Sequence, residues 1–383
     1  MKTKKKILVL IDWFLPGFKA GGPIQSCANL MDHLKEEVDF FVITRNTDYC
    51  ETIPYPKIES NKWLDFSDGI KVFYFSKEEL TKKNIQKIIF SNDYDLIYLN
   101  GIYSFYFTLI PLYLLNKKKD QKIILSTRGM LAESAISVKK TKKKIFLALV
   151  KRIGLFKNII FHATSLAEEK DIRKQFGDTV TIGVAPNLPA KRKENNIIRK
   201  TKTTGKLRLI NVARIAPEKN LFFALEILKE IKSEIIFDFY GPIYDKIYFE
   251  KCKQLIAKMP LNITVSYKNS LEREKINSTL SDYHFLFMPT LGENFGHIIF
   301  ESLAAGCPVI ISDQTPWKNL NSKNIGWDIS LSQKNIFLEA LEKAAAMSQE
   351  EYNLFSFSAF DYAKKISEDE ENVKQNRTLF LNS

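Results

Sequence analysis

Short apolar stretches alternate with amphipathic stretches along most of the chain. The apolar stretches are rich in β-branched and aromatic residues and predict buried strands, whereas the segments between them have helical spacing. This alternation is typical of a parallel sheet with helices packed on both faces, and it occurs twice. We therefore predict two α/β domains. The predicted strands are KILVLI, DFFVIT, KVFYF, DLIYL, KIILS and IIFHATS in the first half, and LRLINVA, IIFDFYG, ITVSY, HFLFMPT and CPVIISD in the second.

The domain boundary is predicted from a polar, basic stretch at residues 186–206, PNLPAKRKENNIIRKTKTTGK, which contains Pro and Gly and reads as a linker. The first domain is predicted at 1–190 and the second at 205–357. The last segment, 358–383, is a polar helical candidate to pack back on the first domain. Doubly wound sheets bind ligands beyond the carboxyl ends of their strands, so functional residues are expected to follow strands.

The positive charge is concentrated in one part of the chain. The 383 residues carry a net charge of +13, and the region from Lys117 to Lys200 holds 21 Lys/Arg against 7 Asp/Glu. Such a surface attracts nucleic acid, phospholipid or a phosphorylated substrate. Nucleic acid is disfavoured because the region is Lys-rich and contains no recognisable recognition module. Segment 139–157 alternates lysines with apolar residues, which suits either an anionic membrane surface or a core-facing helix with a solvated basic end.

Other features exclude several classes of protein. The four cysteines are scattered, with no CxxC pair or His cluster, so neither a disulfide framework nor a zinc site is predicted, and a cytoplasmic location fits best. The N-terminus imitates a signal peptide, but Asp12 and Pro16 interrupt its apolar run, which we interpret as the first strand. No run of about 18 apolar residues predicts a transmembrane helix, so membrane contact is expected to be peripheral, at the inner face.

Charged residues follow two predicted strands of the second half. Arg214 and Lys219 come after LRLINVA and before a helical stretch, where two cations suit a diphosphate; a solvated basic pair is the alternative. Glu293 follows HFLFMPT at the start of a helix whose first backbone amides are candidate phosphate or hydroxyl donors. Glu301 lies within the same, otherwise apolar helix, where an unpaired carboxylate is costly. Glu301 is therefore expected to have a polar partner.

The stretch GENFGHIIFESLAAG, with Glu293 and Glu301 eight positions apart, resembles the E-x7-E signature of the retaining glycosyltransferases called glycosyl transferases group 1. The stretch ARIAPEKN is similar to the Arg…Lys diphosphate clamp of that family, and FKAGGP, with Gly21 and Gly22, to its glycine pair after the first strand. The resemblance covers nearly the whole chain. It implies the GT-B fold, in which two Rossmann-like domains face each other across a cleft.

The resemblance also implies residue roles. Glu301 would bind the ribose of a nucleotide sugar, Arg214 and Lys219 its diphosphate, and Glu293 the donor sugar. Transfer would occur with retention at the anomeric carbon and without metal or cofactor, the cations stabilising the leaving diphosphate. Catalytic candidates are thus Arg214, Lys219 and Glu293; donor-binding candidates are Gly21, Gly22, Gly241, Asn294, Phe295, Gly296, His297 and Glu301.

The acceptor is expected on the first domain, where Asn100, Arg128 and His162 follow or end predicted strands. For His162, a core histidine with ordinary partners is an equal alternative. The preferred function is sugar transfer from a nucleotide diphosphate to a saccharide acceptor, expected to be lipid-linked, in bacterial-type surface polysaccharide or glycoconjugate synthesis. The alternative enzyme is a sugar-nucleotide hydrolase or epimerase on the same fold. A nucleic-acid-binding protein is the least favoured hypothesis.

Overall fold

A computed structural model describes residues 4–116, 118, 120–137, 140–191 and 197–382. The chain divides into two compact units, Met1–Lys191 with Asp369–Ser383, and Arg192–Glu368. Part of the predicted linker, residues 192–196, and the first residue of segment 139–157 lie outside the described residues.

The first unit is built on an eight-stranded sheet in the order β3-β4-β2-β1-β5-β6-β7-β8. Every neighbouring pair is parallel except β3 and β4, which pair antiparallel at one edge. The strands are β1 (Lys5–Leu10), β2 (Val38–Arg45), β3 (Trp63–Ser67), β4 (Ile70–Phe75), β5 (Leu96–Asn100), β6 (Ile123–Ser126), β7 (Ile160–Ala163) and β8 (Thr181–Val184); the helices are α1 (Gly22–Leu34), α2 (Lys82–Ile89), α3 (Ile110–Leu115), α4 (Glu133–Ser137), α5 (Lys140–Arg152) and α6 (Leu166–Phe176).

The second unit contains a six-stranded sheet, parallel throughout, in the order β11-β10-β9-β12-β13-β14. Numbered within the unit, this is the 3-2-1-4-5-6 order of dinucleotide-binding domains. The strands are β9 (Lys206–Val212), β10 (Glu234–Tyr240), β11 (Ile263–Tyr267), β12 (Phe285–Met288), β13 (Val309–Ser312) and β14 (Gly326–Ile329); the helices are α7 (Leu221–Leu228), α8 (Lys246–Ile256), α9 (Ile276–Leu280), α10 (His297–Ala304), α11 (Lys334–Ala346) and α12 (Gln349–Ser367), followed by α13 (Glu370–Arg377) in the first unit.

Each sheet is buried on both faces, which explains why its central strands are continuous apolar runs. In β1, Leu8 and Leu10 belong to one apolar cluster, whereas Ile7 and Val9 belong to the cluster on the opposite face. Successive side chains of a strand point to opposite faces, so both must be apolar.

The segment 358–383 is shared between the two cores. Ala359 and Ala363 of α12 are buried in the second unit, whereas Leu379 and Phe380 are buried in the first. The Phe380 ring centroid lies 4.8 Å from that of Tyr98 on β5. The chain thus returns to the first unit after Glu368.

Candidate active site

The carboxyl edge of the second sheet carries charged side chains on both sides of its switch point. The strand order reverses between β9 and β12. Arg214 and Lys219 follow β9, and Glu293 follows β12. Ligands of doubly wound sheets bind beside such a reversal, so these residues occupy the position where a ligand is expected.

An ion pair joins the two loops at this point. Lys219 Nζ lies 2.6 Å from Glu293 Oε1, and the two side chains are only 17% and 14% exposed. The backbone reinforces the pair, because Leu291 N donates to Glu218 O at 2.9 Å and Thr290 Oγ1 donates to the same carbonyl at 3.1 Å. The structure therefore brings together the predicted diphosphate cation and the predicted sugar-binding carboxylate.

Arg214 is the more accessible cation of this edge. Its Nη2 lies 3.4 Å from Glu218 Oε1, its side chain is 30% exposed, and its guanidinium carbon lies 5.3 Å from the Tyr244 ring centroid. A partly exposed ion pair of this length contributes less than about 1 kcal/mol. Among the described residues, no cluster of three or more His, Cys, Asp or Glu is placed to hold a metal ion.

Residues 294–297 form the turn between Glu293 and α10. Gly296 has a left-handed backbone, φ +74°, and begins the helix without a side-chain cap. The turn is fixed by aromatic packing: Trp317 Nε1 donates to Phe295 O at 2.5 Å, and the Phe295 ring centroid lies 4.7 Å from that of the buried His297. The positive end of the α10 dipole thus lies directly after Glu293, which favours a negatively charged or hydroxyl-rich ligand.

Glu301 lies on the second turn of α10 and is half-buried. Burial raises the pKa of its carboxyl to about 7, and the positive charge of Arg273 opposes this shift. Within the described part of the chain, no group donates a hydrogen bond to this carboxyl. Among the residues that the structure describes, the carboxyl therefore has the Arg273 charge near it but no hydrogen-bonded partner of the kind expected from the sequence.

Gly241 directly follows β10, and the backbone at Ala213 passes close to it. Its φ is +142°, and a Cβ there would lie 1.9 Å from the Ala213 carbonyl oxygen. Gly241 N also donates to Asn269 O at 2.9 Å, and Asn269 is left-handed, φ +60°, a conformation that asparagine adopts more readily than most residues. A glycine is therefore needed at position 241 because the backbone at Ala213 and Arg214 leaves no space for a side chain.

Gly21 and Gly22 belong to the first unit, where Gly21 ends the loop after β1 and Gly22 is the first residue of α1. Gly21 has φ +74°, and a Cβ there would meet no atom within 4 Å, so the glycine serves backbone conformation rather than internal packing. The buried Asp48 anchors the loop, because its carboxylate accepts from Phe18 N at 3.0 Å and from Lys19 N at 3.2 Å. Sequence reasoning missed Asp48, although it follows β2 by three residues.

The three acceptor-side candidates meet in a buried network of the first unit. Arg128 Nη2 donates to Asn100 Oδ1 at 2.7 Å and to Tyr98 OH at 3.0 Å, and its Nη1 donates to Asn187 Oδ1 at 2.8 Å. Tyr98 OH in turn lies 2.9 Å from His162 Nδ1. Arg128 is only 9% exposed and Asn100 4%. These side chains connect the ends of neighbouring strands, and they form hydrogen bonds with one another.

His162 corresponds to the core alternative. It is 2% exposed, its Nδ1 contacts Tyr98, and its Nε2 lies 2.8 Å from Ala185 O. Burial, and after it the positive charge of Arg128, lower the pKa of the imidazole to about 4. The ring is therefore neutral near pH 7 and has no nitrogen left for an acceptor.

A buried glutamate, Glu168, supports this network. Glu168 accepts from Thr127 Oγ1 at 2.5 Å, from Gly129 N at 2.6 Å and from Thr164 N at 2.8 Å. These bonds flank Arg128, whose backbone is left-handed, φ +53°. Such a conformation is strained for a non-glycine residue and persists only when its surroundings hold it. Ser165 caps α6, and its hydroxyl accepts from Glu168 N.

A buried lysine supports the helix that carries Glu301. Lys200 Nζ donates to Gly306 O at 3.0 Å and to Ala305 O at 3.3 Å, at the carboxyl end of α10. A cation there is favoured by the helix dipole. Burial lowers the pKa of Lys200. The sequence placed this residue in a solvated linker. Its burial depends on residues that are distant in the chain, which a local sequence pattern does not reveal.

Residues 192–352 match the model of the family described as Glycosyl transferases group 1. No curated protein matches the chain.

Solved structures resemble the chain over nearly its whole length. Sucrose-phosphate synthase from Thermosynechococcus elongatus has a TM-score of 0.72 at 15% identity, with 99% of this chain and 100% of that chain covered. The HepE protein of Anabaena in complex with UDP-glucose has a TM-score of 0.68 at 16% identity and 98% coverage of both chains. WaaG, a glycosyltransferase involved in lipopolysaccharide biosynthesis, has a TM-score of 0.67 at 12% identity, with 98% and 100% covered. At these identities the likeness shows the fold, and the prediction of two Rossmann-like domains of GT-B type is confirmed.

Proposed function

We propose that this protein, whose residues 192–352 match the model of the glycosyl transferases group 1 family, is a retaining glycosyltransferase that uses a nucleotide-diphosphate sugar. The observation that carries the proposal is the placement of Lys219, Glu293 and Arg214 around the switch point of the second sheet, beside the helix that holds Glu301. Cations suit a diphosphate, and carboxylates suit sugar hydroxyls. The HepE structure in complex with UDP-glucose supports the same class of donor.

In the proposed complex, Glu301 accepts hydrogen bonds from the ribose hydroxyls, whereas no group among the described residues donates to it. Arg214 and Lys219 bind the diphosphate. Glu293 and the backbone at the start of α10 bind the donor sugar, where Glu293 is already positioned by its ion pair with Lys219. The glycine loop at Gly21 and Gly22 provides a backbone without a Cβ for a close approach to phosphate.

The proposed reaction breaks the bond between the anomeric carbon and the leaving phosphate oxygen. The acceptor hydroxyl forms its new bond on the same face of the sugar, and its proton passes to the leaving phosphate. Negative charge develops on the diphosphate as its bond breaks, so Arg214 and Lys219 stabilise the transition state more than the ground state. This mechanism needs neither a metal nor a protein base.

We further propose a lipid-linked saccharide acceptor at the cytoplasmic face of a membrane, in synthesis of surface polysaccharide or glycoconjugate. The support is an apolar stripe on and just after α5, formed by Ile145, Leu149 and Ile153, which are 64%, 56% and 61% exposed. Leu147 and Val150 on the other face are buried, so the helix packs on the core and still presents apolar residues outward. No helix of the described residues is long and apolar enough to span a bilayer.

The stripe predicts binding to anionic vesicles. We expect the protein to co-sediment with vesicles of phosphatidylcholine and phosphatidylglycerol, and Ile145→Glu with Leu149→Glu to reduce the bound fraction at least tenfold by removing the inserted apolar area. Vesicles of phosphatidylcholine alone measure the apolar share of binding, and the difference from the anionic vesicles measures the share due to Lys142, Lys144 and neighbouring cations. Ile247→Glu, at a residue of the second unit that is 74% exposed, is the matched control. Equal binding of the double variant and wild type would contradict the membrane proposal.

The donor proposal is tested by thermal shift with UDP, GDP, CDP, ADP and dTDP and their common sugars. We expect one nucleotide family to raise the melting temperature, because a ligand that binds only the folded state stabilises it. Glu301→Ala should remove most of that rise while leaving the fold intact. Glu339→Ala, which changes an exposed glutamate of α11, should keep it. No shift with any nucleotide, or an unchanged shift in Glu301→Ala, would contradict the donor site.

A further inference from the structure

A second group of polar and aromatic side chains lies at the carboxyl edge of the first sheet. Asp12 follows β1, Arg45 is the last residue of β2, and Ser104 lies shortly after β5. Strand order reverses between β1 and β5, so these residues surround the switch point of this sheet. A ligand is expected here for the same topological reason as in the second unit.

The Arg45 guanidinium has few protein partners. Its Nη2 is 3.5 Å from Asp12 Oδ1, a long contact, and its Nε is buried with no hydrogen-bond partner in the described part of the chain. The guanidinium carbon lies 5.9 Å from the ring centroid of Trp13 and 5.5 Å from those of Tyr106 and Phe107. A buried donor without a partner costs about 1 to 3 kcal/mol, so a purely structural arginine would be expected to pair better.

Asp12 is held on a rigid strand end beside this arginine. Its backbone carbonyl accepts from Arg45 N at 3.3 Å and from Thr44 Oγ1 at 3.2 Å. Its side chain is 21% exposed and lies against the Ser104 hydroxyl. Burial raises the pKa of the carboxyl, whereas Ser104 and Arg45 lower it. The result is a fixed, partly accessible acceptor of hydrogen bonds.

Aromatic rings border these polar groups. Trp13 is half-buried and makes an edge contact with Tyr49 at 4.8 Å between centroids. Tyr106 belongs to a π-helical turn, Phe105–Leu109, which begins at Ser104, whose Oγ accepts from Phe107 N at 3.1 Å. Short π-helical turns occur frequently at functional sites. Aromatic surface with a few fixed polar groups is the composition of a small-ligand site.

A sugar presents apolar C–H groups on its faces and hydroxyls around its edge. We propose that Asp12, Arg45, Trp13 and Tyr106 form the subsite for the saccharide acceptor, with Asp12 accepting from a sugar hydroxyl and Trp13 packing on a C–H face. This inference rests on the proposed glycosyl transfer. It assigns acceptor binding to groups with unused polar atoms, in place of His162 and its network, whose polar atoms are already bonded to one another.

The subsite is tested by labelling the protein with 5-fluorotryptophan, since the chain has four tryptophans and gives four ¹⁹F signals. Trp13→Phe identifies the Trp13 signal. We expect at least one methyl glycoside from a panel of hexoses, N-acetylhexosamines and uronic acids to shift that signal saturably and to leave the Trp63 signal unchanged. Asp12→Asn should raise the Kd at least tenfold. Asp65→Asn, which changes an 85% exposed carboxylate of the same sheet, should leave it unchanged.

The melting temperatures of the variants are measured first, and Arg45→Gln serves as a second test if Asp12→Asn does not fold. The subsite is overturned if no methyl glycoside moves the Trp13 signal, or if the shift persists with the same Kd in both variants. The nucleotide panel is read separately. Nucleotide binding without glycoside binding overturns the subsite alone, whereas glycoside binding at Trp13 without any nucleotide shift contradicts the proposed transfer and leaves a saccharide site.

Discussion

Glu301→Gln is expected to increase the free energy of unfolding at pH 8 by about 2 kcal/mol and to change it little at pH 4. Burial raises the pKa of the Glu301 carboxyl to about 7, whereas an unfolded glutamate titrates near its ordinary value. Each unit of pKa difference corresponds to about 1.4 kcal/mol, and the half-buried position argues for the lower part of the resulting range. The amide imitates the neutral acid and carries no such cost.

The sign of the pH dependence follows from the direction of the shift. A folded-state pKa above the unfolded one means that the folded protein binds the proton more tightly. The contribution of Glu301 to stability is therefore fully present below about pH 4.5 and is lost as the pH rises through about 7. Urea denaturation of wild type and variant at pH 4, 6 and 8 measures this difference.

Glu339→Gln on α11 is the control, because that glutamate is exposed. An equal stability change in both variants, or one that does not grow between pH 4 and pH 8, would show that the ionised Glu301 carboxylate does not lower the free energy of unfolding. A carboxylate kept at the expense of stability is typical of a binding residue. Nucleotide affinity should accordingly fall below pH 7 in wild type, because protonation removes an acceptor from the ribose, and should lose that pH dependence in Glu301→Gln.

The sequence predicted the central strands of both sheets but missed three strands. These are β3, β8 and β14, and each lies at an edge of its sheet. An edge strand is covered on fewer sides, so it needs no continuous apolar run; in β3, for example, residues 65–67 are exposed. The β14 sequence GWDI begins with Gly326, at φ +137°, which local propensity disfavours in a strand. Tertiary pairing, not local pattern, defines these three elements.

In the candidate site, the structure brings together side chains that each follow a strand predicted from the sequence. Lys219 and Glu293 are 74 positions apart in the chain, yet each follows a predicted strand, and the parallel topology brings them to 2.6 Å. The acceptor side was harder, because the same rule places structural and binding residues at the same edge. Arg128 and Arg45 both lie near strand ends, so their sequence positions do not distinguish them. The structure does, because Arg128 donates hydrogen bonds to Asn187 and Asn100, whereas Arg45 Nε has no partner among the described residues.

Lys219→Met is expected to lower both stability and turnover, and the two losses have different causes. Removing the cation leaves the 14% exposed Glu293 carboxylate without its partner at 2.6 Å. An uncompensated carboxylate in a half-buried position should cost about 2 kcal/mol, less than the cost at a fully buried pair. The methionine retains the apolar stem, so little packing is lost. Turnover should fall roughly 100- to 1000-fold, because a group that stabilises the leaving diphosphate is absent.

The double variant Lys219→Met with Glu293→Gln separates the two effects. Neutralising the stranded carboxylate should restore most of the stability, whereas turnover should remain at or below that of Lys219→Met. Arg214→Met is the matched control, since its 3.4 Å ion pair with Glu218 is more exposed than the pair of Lys219 with Glu293. We expect less than about 1 kcal/mol of destabilisation with roughly 100-fold lower turnover. Urea denaturation and release of the nucleotide diphosphate, with the donor found in the thermal-shift panel, measure both quantities. Wild-type turnover in Lys219→Met would show that this cation serves the fold alone, and would leave Arg214 as the residue that stabilises the leaving group.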